Sequence, residues 1–594
     1  MMFTIFWFFL LLTASRSHQN SFVRKFECFD EQCQRINVPS KFNNSTQLNS
    51  NEQFTTLESC RLVCGSVGGL WPIPTGIFSI GKKLISINID KINSNIDKSD
   101  LSIKPYLYKI LEIFKNNIKK NCGLLNCENG NYSIIINIKV ENNCHDLNWN
   151  TREDYNLEIS TKDTKVRIFI NSQTIYGARH ALETLSQLFA PSINSNNLIE
   201  LVVIDNAKIQ DKPMFTHRGL LIDTARNYLP VDAILRTIDG LGSTKMNVLH
   251  WHATDTQSFP LKLQSQPLMS IFGAYSQEMT YSPEEIEKIK LHAKHRGVRI
   301  IIEIDTPSHA GSGWQWGPTE GLGNLAVCVD KEPWRKYCIQ PPCGQLNPVN
   351  ENTFDVLKDI YNDVLSIMGN DSILHLGGDE VYLPCWNSTE EIVTEMKARG
   401  MGTTTDDFFK LWSEFHSKQL GIIDDLKKNN DSVIIWSSGL TLPDVIDKYL
   451  NKSRFVIQTW LESSSTVPNE LLNKGYKLII STKDAWYLDH GFWGVTKYHS
   501  WRDAYQNRIP KSEGVLGGEV CMWGEYVNEG GLDSRVWPRA AAVGERLWSN
   551  PASTMTTGDA EPRLQAHRER LEKYGIHADA MTPAWCAQHA KKCF

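Results

Sequence analysis

The chain has 594 residues, with 62 basic against 67 acidic side chains and a formal net charge of −5. Such a length suggests two to four domains, or one large barrel with a smaller companion. Hydrophobic residues at 41% and charged residues at 22% exclude whole-chain disorder, and the mild acidity, with no basic stripe, excludes the electrostatics of nucleic-acid binding.

Phe3 to Leu12 form an apolar run, followed by Thr13, Ala14 and Ser15. The run is too short to span a bilayer, and small residues after it suit a signal peptidase. Residues 1–17 are therefore expected to be a signal peptide, sending the chain into the secretory pathway, to be secreted or lysosomal. An uncleaved membrane anchor is the alternative, because the run has no Lys or Arg before it. Residues 18–69 read as a polar, Cys-containing segment. The 14 cysteines, an even count, fit an oxidising compartment. Disulfide candidates are Cys28, Cys33, Cys60 and Cys64, then Cys328 and Cys385, Cys338 and Cys343 around a Pro-Pro loop, and Cys586 and Cys593. Spacing does not set their connectivity. The first four also admit a zinc reading, though C-x4-C and C-x3-C are loose for that ion. Asn-X-Ser/Thr acceptors for glycosylation stand at Asn43, Asn44, Asn131, Asn370, Asn387, Asn430 and Asn451.

Residues 70–212 are expected to form a small α+β domain. β-like runs occupy 133–140, 156–160 and 165–170, and 172–189 has helical spacing. The Lys- and Asn-rich stretch 82–120 reads as solvated helix and loop surface. From residue 213 to the end, eight short apolar runs recur, at 218–223, 246–252, 298–305, 372–379, 432–436, 455–460, 476–481 and 515–523. Helical stretches lie between most of them, such as 231–241, 283–295, 354–368 and 408–426. This alternation predicts a (β/α)8 TIM barrel, whose strands are apolar because both faces are buried.

Active sites of such barrels sit where the strands end. The residues at those ends are Arg226, then His250, His252 and Asp255, then Asp305 and His309, then Asp379 and Glu380, Trp436, Trp460, Tyr487 and Asp489, and Trp523 and Glu525. Carboxylates and an Arg that bind hydroxyls, with Trp faces that stack on sugar rings, make a carbohydrate pocket. The strongest motif is His375-Leu376-Gly377-Gly378-Asp379-Glu380. Neighbours on a strand point to opposite faces, so both acids enter one pocket only if the strand bends or ends there, which glycines permit. Glu303 and Asp305 alternate along one strand, and no catalytic role is assigned to Glu303.

The stretches 217–226 (HRGLLIDTAR), 248–252 (VLHWH), 375–380, 485–489 (AWYLD) and 522–525 (MWGE) resemble the family 20 β-N-acetylhexosaminidases, and the likeness covers roughly residues 70 to 594. The resemblance implies hydrolysis of terminal, non-reducing β-linked N-acetylglucosamine, and N-acetylgalactosamine in many members, with retention. The substrate's own 2-acetamido oxygen is the nucleophile. It implies Glu380 as general acid and then base, with a pKa tuned upward. Asp379 would orient the acetamido group and Tyr487 would donate to its oxygen. Arg226, Asp489 and Glu525 would hold sugar hydroxyls, and Trp436, Trp460 and Trp523 would form the walls. Asp255 and His309 would support the acid. No cofactor or metal is implied. The partner is an oligosaccharide or glycoconjugate substrate, and members commonly form homodimers. The segments 338–346 and 314–317 resemble arthropod members, which trim chitin oligosaccharides or N-glycans. Chitin-specialised members have an extended loop bearing a Trp after Tyr-x-Asp. Here 490–501 is short, with Trp493 inside it, which leaves a broader specificity.

Two other classes compete. A metal-dependent hydrolase would use His250 and His252 with Asp255, His309 and Asp379. A sugar-binding barrel without catalysis would lack the acid or its partner, and both are present.

Overall fold

A computed structural model describes residues 25–36, 54–97, 101–123, 127–369, 372–492, 494, 497–589 and 593. The expected signal peptide, Asn43, Asn44, Asn370 and Trp493 lie outside the described residues. The acceptors Asn131, Asn387, Asn430 and Asn451 are all exposed.

The first described element is a hairpin, Lys25–Phe29 with Gln32–Ile36. Its two-residue turn holds Asp30 and Glu31 at φ 47° and 60°, the left-handed pair that matches strand twist. Cys28–Cys64 and Cys33–Cys60 bind the hairpin to the helix Leu57–Val63. The other bridges are Cys122–Cys127, Cys328–Cys385, Cys338–Cys343 and Cys586–Cys593, while Cys144 and Cys521 are free thiols. Six bridges belong to an oxidising, secretory compartment. Among the described residues no helix is long and apolar enough to cross a membrane.

An eight-stranded mixed sheet follows, in the spatial order Phe78–Ile80, Ala207–Asp211, Tyr155–Lys162, Lys165–Ser172, Tyr132–Val140, Leu84–Ile96, Ile199–Ile204, Phe189–Ile193. Tyr155–Lys162 and Lys165–Ser172 alternate exposed and buried residues, as a sheet covered on one face requires. Stretch 82–120 is not the solvated surface its composition suggests. Leu84–Ile96 is an interior strand, and the helix Lys104–Lys119 buries Tyr106, Leu107, Ile110, Leu111, Phe114 and Ile118 against the sheet. Those six follow the 3–4 residue helical spacing, and the Lys and Asn residues between them face water.

All twelve residues of the helix Ile175–Ser186 are buried, because it carries the sheet on one side and the barrel on the other. Its charged groups are paired there. Glu153 takes His180 Nε2 at 2.8 Å, Asn247 Nδ2 at 2.8 Å and Arg218 from the first barrel strand. Two tryptophans cross between cores. Trp71 packs in the barrel and donates to Ala541 O at 2.9 Å, and Trp548 packs under the sheet and donates to Asp211 Oδ1 at 2.9 Å.

The barrel sheet runs in the order Arg299–Ile304, Val248–Thr254, His217–Asp223, Val515–Met522, Lys477–Ile480, Phe455–Thr459, Val433–Trp436, all parallel. The eighth wall, expected as a strand over 372–379, is irregular. Only His375 makes ladder bridges, to Glu303 on one side and Ile434 on the other. Hydrogen bonds still close the circle: His375 N to Ile302 O at 3.2 Å, Leu376 N to Ile434 O at 2.9 Å and Trp436 N to Gly377 O at 2.9 Å. The long helices Val231–Ser243, Pro283–Arg296, Glu351–Met368 and Thr405–Lys427 lie outside. Beyond the barrel, Thr557–Lys573 turns back to the N-terminal segment. Arg61 pairs with Glu569 at 2.6 Å, and His589 bridges Gln34 on the hairpin.

Candidate active site

Where the eighth wall ends, the chain turns sharply. Gly377 and Gly378 adopt φ 67° and 85°, and Glu380 adopts φ 48°. A Cβ on Gly377 would lie 1.7 Å from Asp305 Oδ1, while Gly378 N–H donates to that oxygen at 3.1 Å. Only glycine passes so close at positive φ. The bend breaks the strand alternation, so Asp379 and Glu380 both face the mouth. One ring nitrogen meets both: His309 Nε2 is 3.4 Å from Glu380 Oε2 and 3.9 Å from Asp379 Oδ1.

Behind His309 stands Asp255. Its Oδ2 lies 3.2 Å from His309 Nδ1, 2.8 Å from Arg226 Nη2 and 3.2 Å from His252 Nε2. One buried carboxylate therefore ties the arginine at the first strand end to the ring beside the acids. Asp223 builds the turn that holds Arg226. Its Oδ1 accepts the Ala225 and Arg226 N–H groups at 2.9 and 3.0 Å, and its Oδ2 accepts Gly524 N–H at 2.9 Å, next to Glu525.

The apolar part is a cluster of Leu221, Trp436, Tyr487 and Cys521, with Trp460 and Trp523 packed on it. Trp436 and Trp523 have ring centres 5.9 Å apart, and the Arg226 guanidinium sits 5.1 Å over Trp523. Trp460 Nε1 donates to Ser437 O at 2.7 Å, which sets its plane. The structure thus brings Arg226, Asp255, His309, Asp379, Glu380, Trp436, Trp460, Tyr487, Trp523 and Glu525 to one mouth. Asp489 lies two residues beyond Tyr487 and is buried. Arg226 Nε, Asp379 Oδ1 and Glu525 Oε2 are buried with no hydrogen-bond partner. Such atoms are costly unless a ligand satisfies them.

Burial, together with its carboxylate neighbours, pushes Asp379 up to about 7, with His309 opposing. Glu525 is likewise pushed to about 7 by burial. Burial also raises Glu380, but the His309 hydrogen bond and charge, with Arg226, outweigh it and hold the carboxyl below its usual range. The upward tuning expected for Glu380 is therefore not what these neighbours give. Within the pair Asp379 is the carboxyl pushed up and Glu380 the one held down.

His250 and His252 point into the barrel together, two residues apart on one strand, while Trp251 points outward. Both rings lie against carboxylates. His250 is held between Glu519 at 2.6 Å and Glu303 at 3.0 Å, and His252 between Glu303 at 2.6 Å and Asp255 at 3.2 Å. His252, Glu303 and Asp305, or Asp255, Asp305 and His309, come close enough to share an ion. But His252 and His309 are held well above the usual imidazole range, since their acidic neighbours outweigh burial. An ion there would have to displace those ring protons. The first four cysteines, read alternatively as zinc ligands, are joined in two disulfides.

Sequence reasoning missed Gln340, whose Nε2 donates to Glu380 Oε2 at 3.3 Å from the loop bridged by Cys338 and Cys343. The paired cysteines were the available signal, because a clamped loop beside a strand end holds a side chain still.

A closed β/α barrel with adjacent carboxylates and tryptophan walls at its C-terminal mouth defines a carbohydrate hydrolase. Comparison with known proteins narrows the class. The family model described as "Glycosyl hydrolase family 20, catalytic domain" matches residues 215–551, and "beta-acetyl hexosaminidase like" matches 70–188. A "Chitooligosaccharidolytic beta-N-acetylglucosaminidase" of Bombyx mori is 35% identical, covering 98% of this chain and 96% of that protein. One of the same description from Ostrinia furnacalis is 36% identical over 92% of each. The crystal structure of Flavobacterium johnsoniae chitobiase superposes with a TM-score of 0.67 at 25% identity, covering 86% of this chain and 73% of that one. The chain belongs to glycosyl hydrolase family 20 and is a β-N-acetylhexosaminidase.

Proposed function

We propose that the enzyme removes terminal N-acetylglucosamine with the substrate's acetamido oxygen as nucleophile. One observation carries the reading. Asp379 and Glu380 are consecutive and both reach the same nitrogen of His309, at 3.9 and 3.4 Å. Two carboxyls on one side of the pocket cannot flank a scissile bond as acid and enzyme nucleophile, which stand about 5 Å apart across it. A one-sided pair likewise leaves no base for a water on the far face, so the attacking atom comes from the sugar.

Glu380 protonates the leaving oxygen and then activates water. Asp379 accepts the acetamido N–H, satisfying the oxygen left without a partner. That contact needs Asp379 ionised, so substrate binding moves the shared proton from Asp379 to Glu380, the acid that uses it. Tyr487 donates to the acetamido oxygen, and its hydroxyl stays protonated because burial holds it well above the ordinary phenol range. Arg226, Asp489 and Glu525 take the outer hydroxyls. Trp436, Trp460 and Trp523 enclose the ring and exclude water.

The natural substrate we propose is a chitooligosaccharide, supported by the two relatives so described. The short segment 490–501 favours a second reading, in which terminal N-acetylglucosamine of N-glycans is also cut. Secretion, rather than residence in lysosomes, goes with the first. The test is release of nitrophenol from the β-N-acetylglucosaminide and from the plain β-glucoside, with Glu380→Gln and a chelator as controls. Activity confined to the acetamido substrate, indifferent to chelator and lost in the variant, is expected. Equal activity on the glucoside refutes the mechanism. Chitotriose against an N-acetylglucosamine-terminated N-glycan then separates the substrates.

A further inference from the structure

Glu303 is the buried acid that the catalytic scheme leaves unused. It sits on Arg299–Ile304 with no exposed surface, out of reach of any sugar. Yet both its oxygens are engaged with parts of the site. Oε1 accepts from Trp436 Nε1 at 2.7 Å and lies 3.2 Å from His375 Nδ1, which itself accepts Gly377 N–H at 3.0 Å. Oε2 meets His252 Nδ1 at 2.6 Å and His250 Nε2 at 3.0 Å. From His252 the contacts run on through Asp255 to His309 and Glu380, each step between 3.2 and 3.4 Å. In the other direction His250 Nδ1 meets Glu519 at 2.6 Å, and Glu519 meets His217 at 2.8 Å.

A carboxylate inside a barrel core loses its hydration, and apolar packing of equal volume is often as stable. Stability alone is a poor reason for it. We infer that Glu303 is a positioning residue that fixes the two halves of the catalytic site against each other: it pins the edge of Trp436 on the pocket floor, and it holds His252 so that Asp255 stays aligned on both Arg226 and His309. This rests on the reading of Glu380 and Asp379 above.

The titratable groups facing Glu303 are His250, His252, His375, Asp305, Asp379, Glu519 and Cys521. Burial raises its pKa, but the neighbouring imidazoles, His252 foremost, outweigh this and keep it ionised. Its negative charge in turn raises Asp379. Glu303→Gln removes the charge while keeping an oxygen for Trp436 Nε1, so it separates the two halves. An amide facing His252 Nδ1 makes that nitrogen an acceptor, so the ring loses its Nδ1 proton and its charge and donates to Asp255 from Nε2 alone.

The test compares wild type, Glu303→Gln and Glu303→Asp on the nitrophenyl β-N-acetylglucosaminide, with folding checked by thermal unfolding. Glu303→Gln is expected to leave KM nearly unchanged and to lower kcat about 10–100-fold, the usual cost of losing a supporting hydrogen bond. The pH above which kcat/KM falls should move down, since Asp379 loses an anionic neighbour. Glu303→Asp, which keeps the charge, should restore the position of that limb. A folded Glu303→Gln enzyme with wild-type kcat and an unmoved limb overturns the inference. In case the variant does not fold, nitrogen NMR of the wild-type imidazoles reads the same arrangement directly. His252 protonated at Nδ1 across the active pH range is expected, and a ring carrying its proton on Nε2 alone overturns the inference. The NMR arm needs no turnover, so a wild type inactive on the acetamido substrate counts against the catalytic reading only.

Discussion

Asp379 and Glu380 share one proton, and their pH behaviour belongs to the pair. The last proton sits on a carboxyl raised to about 7. Activity needs that proton, moved to Glu380, so kcat/KM should be present below about 7 and be lost as pH rises through it. A profile that stays flat to pH 9 contradicts this. Glu380→Gln should cost about 10²–10⁴-fold in kcat, the range for a lost general acid. Tyr487→Phe should cost about 10²–10³-fold, as for one oxyanion donor. Asp379→Asn cannot accept the acetamido N–H with a full charge, so kcat should fall. Full activity in that variant sinks the substrate-assisted scheme. At this scale the motifs around the two acids stand out in the primary structure, because chemistry limits the residue type at each place. The partners of Glu303 do not stand out. His250, His252, His375 and Trp436 come from three different walls, and only the closed barrel brings them onto one carboxylate.

The turn at 377–380 shows what a short element contributes. Gly377→Ala would place a methyl 2.7 Å from Asp305 Cα at φ 67°. Left-handed strain alone costs about 1–3 kcal/mol, and the backbone contact adds to it. The variant should melt earlier than wild type and lose activity together with its turn. An active Gly377→Ala enzyme with an unchanged melting temperature would remove the need for glycine there. The long barrel helices were legible from their spacing, and Val231–Ser243 and Pro283–Arg296 differ from expectation mainly at their ends. The strand Leu84–Ile96 was not legible. It is flanked by Lys and Asn, and only Ile87 and Ile92 of its thirteen residues are fully buried, so its alternation drowns in polar neighbours. The eighth wall reads as a strand because its apolar run has the right length. The glycine turn and an irregular hydrogen-bond pattern leave it a single ladder position.

The two ends of the described chain meet. The N-terminal hairpin, its cross-linked helix and the C-terminal residues meet far along the chain from one another, through Arg61–Glu569 and the His589–Gln34 bridge. Cys33→Ser/Cys60→Ser opens a bridge 27 residues long. By unfolded-state entropy this should destabilise by about 2–4 kcal/mol, while kcat and KM stay at wild-type values, because none of the described residues of this segment lines the mouth. A change in KM in the folded double variant contradicts that separation. The signal-like start and the even cysteine count pointed to the secretory route from composition alone. That the C-terminal tail returns to the first hairpin was invisible, since contacts between chain ends leave no local period.

Adjacent codons encode the two acids, so their spacing is set by one peptide unit and not by how two walls of the barrel lean. Thermal breathing, loop exchange or a shifted helix changes the gap from this pair to Tyr487 across the mouth, but not the gap within the pair. The active centre therefore has a single tolerance to maintain where a two-walled glycosidase has two. Loops that decide which sugar follows the scissile bond can be rebuilt without touching the proton shared by Asp379 and Glu380.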